Sequence, residues 1–168
     1  MTLYHASPFR IEHPDVCHSR DHLDFGKGFY LTVLYEQARQ YARRFLLRGG
    51  TAYINSYHLD DDLSAYKVKI FTHYDEEWLD YVGACRRGIG IPPYDVVEGG
   101  IANDRVFNTI DLYFSGLIAK TEALGRLAYE HPNHQLCILN QTVIDRHLHY
   151  LGAEELHQPQ KGGTDASR

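Results

Sequence analysis

The segment that most constrains the fold is Asp24–Thr32, in which Lys27 lies between two glycines and an aromatic, apolar run follows directly. Glycine lets the backbone turn sharply or approach a neighbouring atom closely. The run Phe29–Thr32 has the aromatic and β-branched composition of a strand. The segment therefore predicts a tight turn that leads into a strand, with Tyr30 beside a cleft lined by backbone.

This glycine-rich turn differs from the two common nucleotide-binding loops. A Walker loop needs Gly-x-x-x-x-Gly-Lys followed by Ser or Thr, and that pattern does not occur here. A Rossmann turn needs a third glycine and a following helix, whereas a strand is predicted after this turn. We therefore expect neither a P-loop nor a Rossmann fold.

The composition indicates an ordinary globular protein with one domain. The chain has 168 residues, of which 43% are hydrophobic and 23% charged, which is enough for a hydrophobic core. The formal charge of -5 disfavours nonspecific binding to nucleic acid or membranes, although a local basic groove is compatible with it. No membrane-spanning run and no signal-peptide pattern is visible. The three cysteines form no CxxC pair, so we expect a cytoplasmic protein with cysteines that act as small buried residues.

Hydrophobic periodicity predicts strands scattered among helices. Strands are expected at residues 2–5, 29–32, 52–59, 67–71, 94–98, 135–139 and 147–151. Helices are expected at residues 35–48, 75–88, 105–115, 120–130 and 141–146. The absence of strict strand–helix alternation favours the α+β class over a doubly wound sheet. We expect a single domain over residues 1–151 and a flexible tail over residues 152–168.

The eleven histidines do not form a recognisable metal-binding motif. His18 and His22 are four residues apart, and His147 and His149 would share one face of a strand. Neither pair comes with an HExxH or a CxxC pattern. We therefore predict no metal site.

Several polar positions have both a functional and a structural interpretation. Gln135 begins an apolar strand, where a buried amide needs hydrogen-bond partners. Asn103 and Asp104 follow Gly99 and Gly100, and a glycine-rich loop can bring a carboxylate close to a ligand. An Asx turn that caps the following helix explains Asn103 and Asp104 equally well. The residues alone leave both interpretations open.

Three segments, in this order, resemble motifs of the ADP-ribosyltransferase superfamily, in its His-Tyr-Glu branch of diphtheria-toxin-like and poly(ADP-ribose)-polymerase-like enzymes. Leu3–Ser7 resembles the first-strand motif of an aromatic residue, His, Gly and Ser or Thr. Phe25–Thr32 closely resembles the second motif, Phe-Gly-Lys-Gly-apolar-Tyr-Phe. His134–Ile138 resembles the third motif, in which the catalytic glutamate begins a strand. The chain to about residue 150 also resembles the bacterial family called domain of unknown function 3990, whose members look like toxins of this fold encoded beside small antitoxins.

The resemblance implies an ADP-ribosyltransferase-like split pair of antiparallel β-sheets with flanking helices around an NAD⁺ cleft. His5 would hydrogen-bond the adenosine ribose, the backbone at Ala6 would hold the nicotinamide carboxamide, and Tyr30 would stack on the nicotinamide ring. Stacking orients the leaving group, and an aromatic face attracts the cationic ring. Arg20 and Lys27 are candidate pyrophosphate contacts because of their charge and their place before the tyrosine strand. Further NAD⁺ contacts are expected at Ser7, Gly28 and Asn103.

Two residues depart from the family pattern. Ala6 replaces a glycine, which a backbone contact tolerates. Gln135 replaces the catalytic glutamate, and glutamine can still hydrogen-bond a ribose hydroxyl but has no charge and cannot act as a base. We therefore expect transfer of a single ADP-ribose rather than growth of a polymer. Asp104 is the preferred alternative carboxylate, with Glu98 the second choice.

The resemblance thus predicts a cytoplasmic mono-ADP-ribosyltransferase that takes ADP-ribose from NAD⁺ and transfers it to a macromolecular acceptor. Its expected catalytic residues are Tyr30, Gln135 and Asp104, and its expected partner is the antitoxin of a bacterial toxin-antitoxin pair. Two alternatives stay open at this point. One is an NAD⁺ glycohydrolase, in which water is the acceptor, and the other is a catalytically silent module that binds a nucleotide or a partner.

Overall fold

The computed structural model describes residues 1–100, 103–131 and 134–157, and it confirms the α+β class. The strands in the described part of the chain are β1 (Thr2–Ser7), β2 (Phe29–Thr32), β3 (Ala52–Leu59), β4 (Val68–Ile70), β5 (Val96–Gly99), β6 (Gln135–Ile138) and β7 (Leu148–Leu156). The helices there are α1 (Tyr35–Leu47), α2 (Glu76–Arg87), α3 (Asp104–Phe114), α4 (Lys120–Leu127) and α5 (Gln141–His147).

The described strands form one seven-stranded sheet in the order β4-β5-β6-β2-β1-β3-β7. Neighbouring strands are antiparallel, with the exception of β4, which runs parallel to β5. The resemblance implied a split pair of antiparallel sheets, whereas the described strands form one sheet in which β4 is parallel to its neighbour. A parallel pair needs a crossover, and here the crossover from β4 to β5 contains α2.

The sheet is narrowest between β1 and β2, in the sense that these two neighbouring strands share the fewest registered residue pairs. β1 pairs with β3 over its whole length, from Thr2 opposite His58 to Ser7 opposite Tyr53. In the described structure, β1 and β2 are in register at a single pair, Tyr4 with Thr32. We call this place the β1–β2 junction, and it separates β1, β3 and β7 from β2, β6, β5 and β4.

The two helices α1 and α2 are positioned in different ways. α1 buries Ala38 and Ala42 against a small cluster that includes Ala6 and Ile54. At the start of α2, the Asp75 side chain accepts a hydrogen bond from the backbone of Trp78, which satisfies a free N–H of the first turn. α2 is therefore fixed by a local cap as well as by packing, whereas α1, whose N-cap residue Leu34 makes no side-chain hydrogen bond, is held by its packing.

The hydrophobic core lies in two large clusters that share the strands of the sheet. One cluster joins the turn before β2 to α2, α3 and α4 and is rich in aromatic residues, including the fully buried Phe25 and Trp78. Burial of such a side chain stabilises the fold by roughly 1.5–3 kcal/mol. Cys85 and Cys137 are buried in this cluster as expected, but Cys17 is exposed in the loop before β2. The expectation of burial is wrong for Cys17, because the loop that carries it runs over the surface.

The last strand extends beyond the predicted end of the domain. β7 continues to Leu156, opposite Ala52, whereas the sequence predicted a tail from residue 152. Pairing with β3 orders this polar segment, because the backbone gains hydrogen bonds that composition does not reveal. Residues 158–168 of the predicted tail lie outside the described residues. No helix in the described ranges has the length and apolar character needed to cross a membrane.

Candidate functional site

A cavity of about 710 Å³ lies beside the β1–β2 junction. Its walls come from β1, β2, the start of β6, α1 and the loop before β2, with one residue each from α2 and α3. Of the predicted site residues, the structure brings five to this cavity: His5, Ala6, Arg20, Tyr30 and Gln135.

His5 connects β1 to β2 through its side chain. Its Nδ1 lies 2.7 Å from the Tyr30 carbonyl oxygen, and because a carbonyl only accepts, Nδ1 carries the proton. Burial lowers the pKa of His5 below its usual value, against the opposing effect of the hydrogen bond to Tyr30. The neutral imidazole therefore keeps Nε2 as an acceptor, which suits a ligand hydroxyl.

Tyr30 contributes a ring to the cavity wall while its hydroxyl is engaged elsewhere. The hydroxyl donates to the Gly26 carbonyl at 2.6 Å and accepts from the Phe25 backbone at 3.2 Å. Burial raises the pKa of Tyr30 far above its ordinary value. The hydroxyl is therefore unsuited to proton transfer at neutral pH, and what Tyr30 offers a ligand is its aromatic face.

Gln135 lies in the sheet next to Tyr30's strand, opposite Thr32 on one side and Gly99 on the other. It is half-buried and is one of the residues that line the cavity. Within the described residues the Gln135 amide makes no hydrogen bond. The amide is thus available to a ligand as both donor and acceptor.

Arg20 is the predicted pyrophosphate contact that reaches the cavity. It is exposed at the cavity wall and makes no ion pair with any part of the chain that the structure describes. Lys27 is instead 3.4 Å from Asp21 and does not line the cavity. The structure therefore favours Arg20 over Lys27 as the binding residue for an anionic group.

A second arginine at the cavity was not predicted from the sequence. Arg86, from the end of α2, donates to Asp24 Oδ1 through Nε at 2.9 Å and through Nη2 at 2.7 Å. Its guanidinium also lies 3.4 Å from Asp111 and stacks on Phe107, with 4.9 Å between guanidinium carbon and ring centroid. Three separate segments are thus fixed around one cation, which gives the cavity a rigid wall.

Two predicted binding residues serve the fold instead. Gly28 packs against β6, where an added Cβ would lie 2.6 Å from the Ile138 carbonyl oxygen and 2.7 Å from Cys137 Sγ. Ser7 is buried and accepts a hydrogen bond from the Phe9 backbone at 3.1 Å. Neither lines the cavity, so ligand contacts at Ser7 and Gly28 stay predictions, and the contacts that the structure gives these residues are with the fold itself. Gly28 is small because a neighbouring strand approaches it.

Asn103 has the capping role of the structural interpretation, and Asp104 follows it as the first residue of α3. The Asn103 side chain accepts from the backbone of Arg105 at 3.0 Å and of Val106 at 2.9 Å, so it caps α3. Asp104 is the exposed first residue of α3, and neither residue lines the cavity. Asp104 nevertheless shares a helix face with Phe107, three residues later, which does line it.

The other expected carboxylate, Glu98, is also outside the cavity lining. It lies in β5 and its Oε1 is 3.8 Å from His134 Nδ1. Among the described lining residues the carboxylate is Asp24, which Arg86 neutralises. The described cavity wall therefore carries positive and neutral polar groups rather than a free negative charge.

The histidine pairs considered as metal ligands have carboxylate partners. His147 and His149 both bond to Asp60, at 3.2 and 3.1 Å, and His18 bonds to Asp15. The described part of the chain contains no group of three or more His, Cys, Asp and Glu side chains placed to hold a metal ion.

Sequence reasoning missed several cavity residues, which come from the helices, from the loop before β2 and from the neighbouring strands. Gln37 and Tyr41 of α1 line the cavity together with Phe107 of α3 and Arg86 of α2. Each is an ordinary residue type for the outer side of a helix, so no local pattern separates them from surface residues. Asp24 directly precedes the Phe-Gly-Lys-Gly motif, and that position was the one available signal.

These features define the protein as a mixed α+β domain with an aromatic and polar cavity where its sheet is narrowest. The family DUF3990, described as a protein of unknown function, matches residues 1–150. The chain belongs to this family, which confirms that part of the expectation. No curated protein and no solved structure matches the chain at a significant level.

Proposed function

We propose that this protein is a mono-ADP-ribosyltransferase that uses NAD⁺ as the donor and acts as the toxin of a toxin-antitoxin pair. One observation carries the proposal: His5, Tyr30 and Gln135, which are far apart in the sequence, line the same cavity. The volume of about 710 Å³ is in the range of small-molecule sites, which is roughly 300–1,000 Å³. These are the three positions that the resemblance to ADP-ribosyltransferases selects.

The narrow β1–β2 junction supports the same proposal. A fold with a split pair of sheets has a cleft between them, and here the cavity opens where β1 and β2 share a single registered pair within the described structure. His5 lies on one side of this junction, and Tyr30 and Gln135 lie on the other. A ligand that contacts all three must therefore bridge the two halves of the sheet.

The reaction breaks the bond between the ribose carbon and the nicotinamide nitrogen. The bonding electron pair moves to the nitrogen, which makes the cationic ring neutral, and the acceptor then bonds to the ribose carbon and releases its proton. The Tyr30 face would hold the nicotinamide, an attraction of roughly 0.5–2 kcal/mol for a cation on an aromatic ring. His5 Nε2 and the Gln135 amide would hold ribose hydroxyls, and Arg20 would bind the diphosphate. The transition state resembles an oxocarbenium ion, as in glycoside hydrolysis.

A catalyst needs a negative charge near the ribose to stabilise the transition state, whereas a silent binding module does not. Gln135 supplies no negative charge, and Asp24 is occupied by Arg86. Asp104 is the candidate carboxylate for this proposal, because it lies one helical turn before Phe107 on the same face of α3. If Asp104 does not supply this negative charge, the cavity is better suited to binding a nucleotide than to cleaving it.

The test is nicotinamide release from NAD⁺ labelled separately in the nicotinamide and in the adenylate, with cell lysate as the source of acceptors. We expect released nicotinamide together with adenylate label on macromolecules. Tyr30→Ala should lower the rate by roughly a hundredfold because the leaving group loses its orientation. Tyr30→Phe keeps the ring and should retain most of the activity, which makes it the matched control.

Each other outcome identifies an alternative. Free ADP-ribose without labelled macromolecules indicates an NAD⁺ glycohydrolase. A wild-type protein that binds NAD⁺ but releases no nicotinamide is a silent binding module. The toxin assignment is tested separately, since induced expression should arrest growth and the Tyr30→Ala variant should not.

A further inference from the structure

A line of residues on α1 leads away from the cavity and changes from polar to basic. Gln37 and Tyr41 line the cavity, and Arg44 and Arg48 follow at intervals of three and four residues. This spacing places all four on one side of the helix, with Arg48 as its C-terminal cap residue. We call these four residues the α1 track.

The two arginines of the α1 track are exposed cations without a carboxylate partner. Neither Arg44 nor Arg48 forms an ion pair within residues 1–100, 103–131 and 134–157. The acidic residue of α1, Glu36, is 3.4 Å from Arg39 on another side of the helix. Arg20, on the cavity wall, is likewise unpaired in the described structure. In a chain with a formal charge of -5, the α1 track therefore adds two unpaired cations to the unpaired one on the cavity wall.

The α1 track also presents exposed aromatic surface. Tyr41 is 52% exposed although it lines the cavity, and the Arg44 guanidinium lies 5.1 Å from its ring centroid. Phe107, on the cavity wall from α3, is 49% exposed. Aromatic faces combined with unpaired arginines are how proteins bind single-stranded nucleic acid, since bases stack on the rings and phosphates bind the cations.

We propose that the α1 track binds single-stranded nucleic acid and presents it to the cavity as the acceptor of ADP-ribose. The identity of the strand as acceptor rests on the proposed function, whereas binding to the track does not. The strand's phosphates lie on Arg44 and Arg48, and an unpaired base stacks on Tyr41. A base or terminal group next to that stacked base reaches the cavity, where its nucleophile bonds to the ribose carbon and loses a proton as nicotinamide leaves.

Arginines near a helix C-terminus also stabilise the helix dipole, so the test must separate that effect from binding. α1 supplies a matched control, because Arg39 and Arg43 are exposed on the same helix but outside the α1 track. The double variant Arg44→Glu with Arg48→Glu and the double variant Arg39→Glu with Arg43→Glu change the net charge equally. Both pairs are surface positions, and thermal unfolding checks that each variant folds.

The experiment measures fluorescence anisotropy of labelled oligonucleotides of about 12 nucleotides, RNA and DNA of one sequence, without NAD⁺. At 0.1 M salt we expect the Arg44 and Arg48 double variant to bind roughly tenfold or more weakly than wild type, and the Arg39 and Arg43 variant to bind within about threefold of it. The slope of log affinity against log salt should become shallower by about 0.7 for each phosphate that the variant no longer binds. Tyr41→Ala should weaken binding further than Tyr41→Phe, because phenylalanine keeps the stacking face.

Three results would overturn the inference: no oligonucleotide binding by wild type, equal losses of affinity in the two double variants, or tighter binding of an acidic peptide than of the oligonucleotide. The last result would identify a protein acceptor. With labelled NAD⁺ added, we expect the label on the oligonucleotide. A protein that binds the strand as described but never releases nicotinamide contradicts the proposed function and leaves the binding result intact.

Discussion

Strand β1 is held in two different ways on its two sides. On the side of β3, β1 is in register over six residue pairs. The buried Asn55 of β3 also hydrogen-bonds the backbone of Phe9 and Ile11, in the loop that follows β1. Toward β2 the described strands share one registered pair, and the His5 ring bonds to the Tyr30 carbonyl. The His5 side chain thus links β1 to β2, whereas backbone pairing links β1 to β3.

The difference explains where the cavity is. Continuous pairing with β3 fixes β1 as a rigid support, whereas the short contact with β2 leaves space beside the strand for a ligand. A backbone carbonyl that pairs with a side chain also needs that side chain in place, since an unpaired buried carbonyl is costly. His5 therefore has a structural role in the sheet and a free Nε2 for a ligand at the same time.

The largest effect is expected at Gly28, on the β2 side. Gly28→Ala places a Cβ within 2.6 Å of the Ile138 carbonyl oxygen, which is backbone and cannot move without shifting β6. We expect a loss of about 3 kcal/mol in the free energy of unfolding, the upper part of the range for overpacking, measured by urea denaturation. Gly125→Ala is the control, because the space around this α4 residue is open and alanine favours a helix. Equal stability of the two variants would contradict the close contact between β2 and β6.

A smaller and more local effect is expected at His5. His5→Ala leaves the Tyr30 carbonyl without its side-chain partner, which should cost about 2 kcal/mol. Hydrogen exchange should rise in β2 more than in β3, because β3 keeps its pairing with β1 and β7. His149→Ala, which removes an exposed partner of Asp60, is the control and should change stability by less than about 1 kcal/mol. Equal exchange in β2 and β3 would show that the junction does not depend on His5.

A third effect concerns charge on the β2 side of the cavity. Gln135→Glu keeps the size of the side chain and introduces a second carboxylate on the described cavity wall, where the existing one, Asp24, is already bound by Arg86. In the proposed reaction a negative charge near the ribose stabilises positive charge in the transition state, so we expect nicotinamide release to rise by about tenfold, or about 1.4 kcal/mol. Asp104→Asn should lower the rate if Asp104 already supplies this charge. No change in either variant would contradict a charge-limited reaction.

The smallest effect is a change in the pH dependence of stability. Burial lowers the pKa of folded His5 below 6.5, so on acidification the unfolded chain binds a proton first. Stability should therefore fall as the pH drops below about 6.5 and level off below the folded pKa. The slope should be a fraction of about 1.4 kcal/mol per pH unit, which corresponds to one full proton. His5→Ala should have a shallower curve than wild type over this range, and parallel curves would contradict a depressed pKa.

The secondary structure was largely predictable because it depends on local patterns. α1 begins at Tyr35 as predicted, and β3 has its predicted bounds Ala52–Leu59. The parallel pairing of β4 and the extension of β7 to Leu156 were not predictable, since both depend on strands that are distant in the sequence. Composition favoured a tail over residues 152–156, and pairing with β3 overrides it.

The cavity residues that the sequence predicted are mainly motif residues that lie within strands. His5, Tyr30 and Gln135 are strand residues, and the sheet brings their strands close together. For the motif's second glycine, Gly28, the structure gives a packing reason that the motif did not reveal, because β6 approaches too closely for a side chain. Arg86 was missed because its partners, Asp24 and Asp111, come from segments that only the packing of α2 and α3 brings together.

The most direct test of the central claim is a crystal structure of the protein with NAD⁺ or a non-cleavable analogue. We predict the nicotinamide ring stacked on Tyr30, a ribose hydroxyl within hydrogen-bond distance of the Gln135 amide, and a hydroxyl of the other ribose on His5 Nε2. NAD⁺ bound elsewhere, or bound in this cavity without contact to the Tyr30 ring, would contradict the assignment of the β1–β2 junction as the donor site.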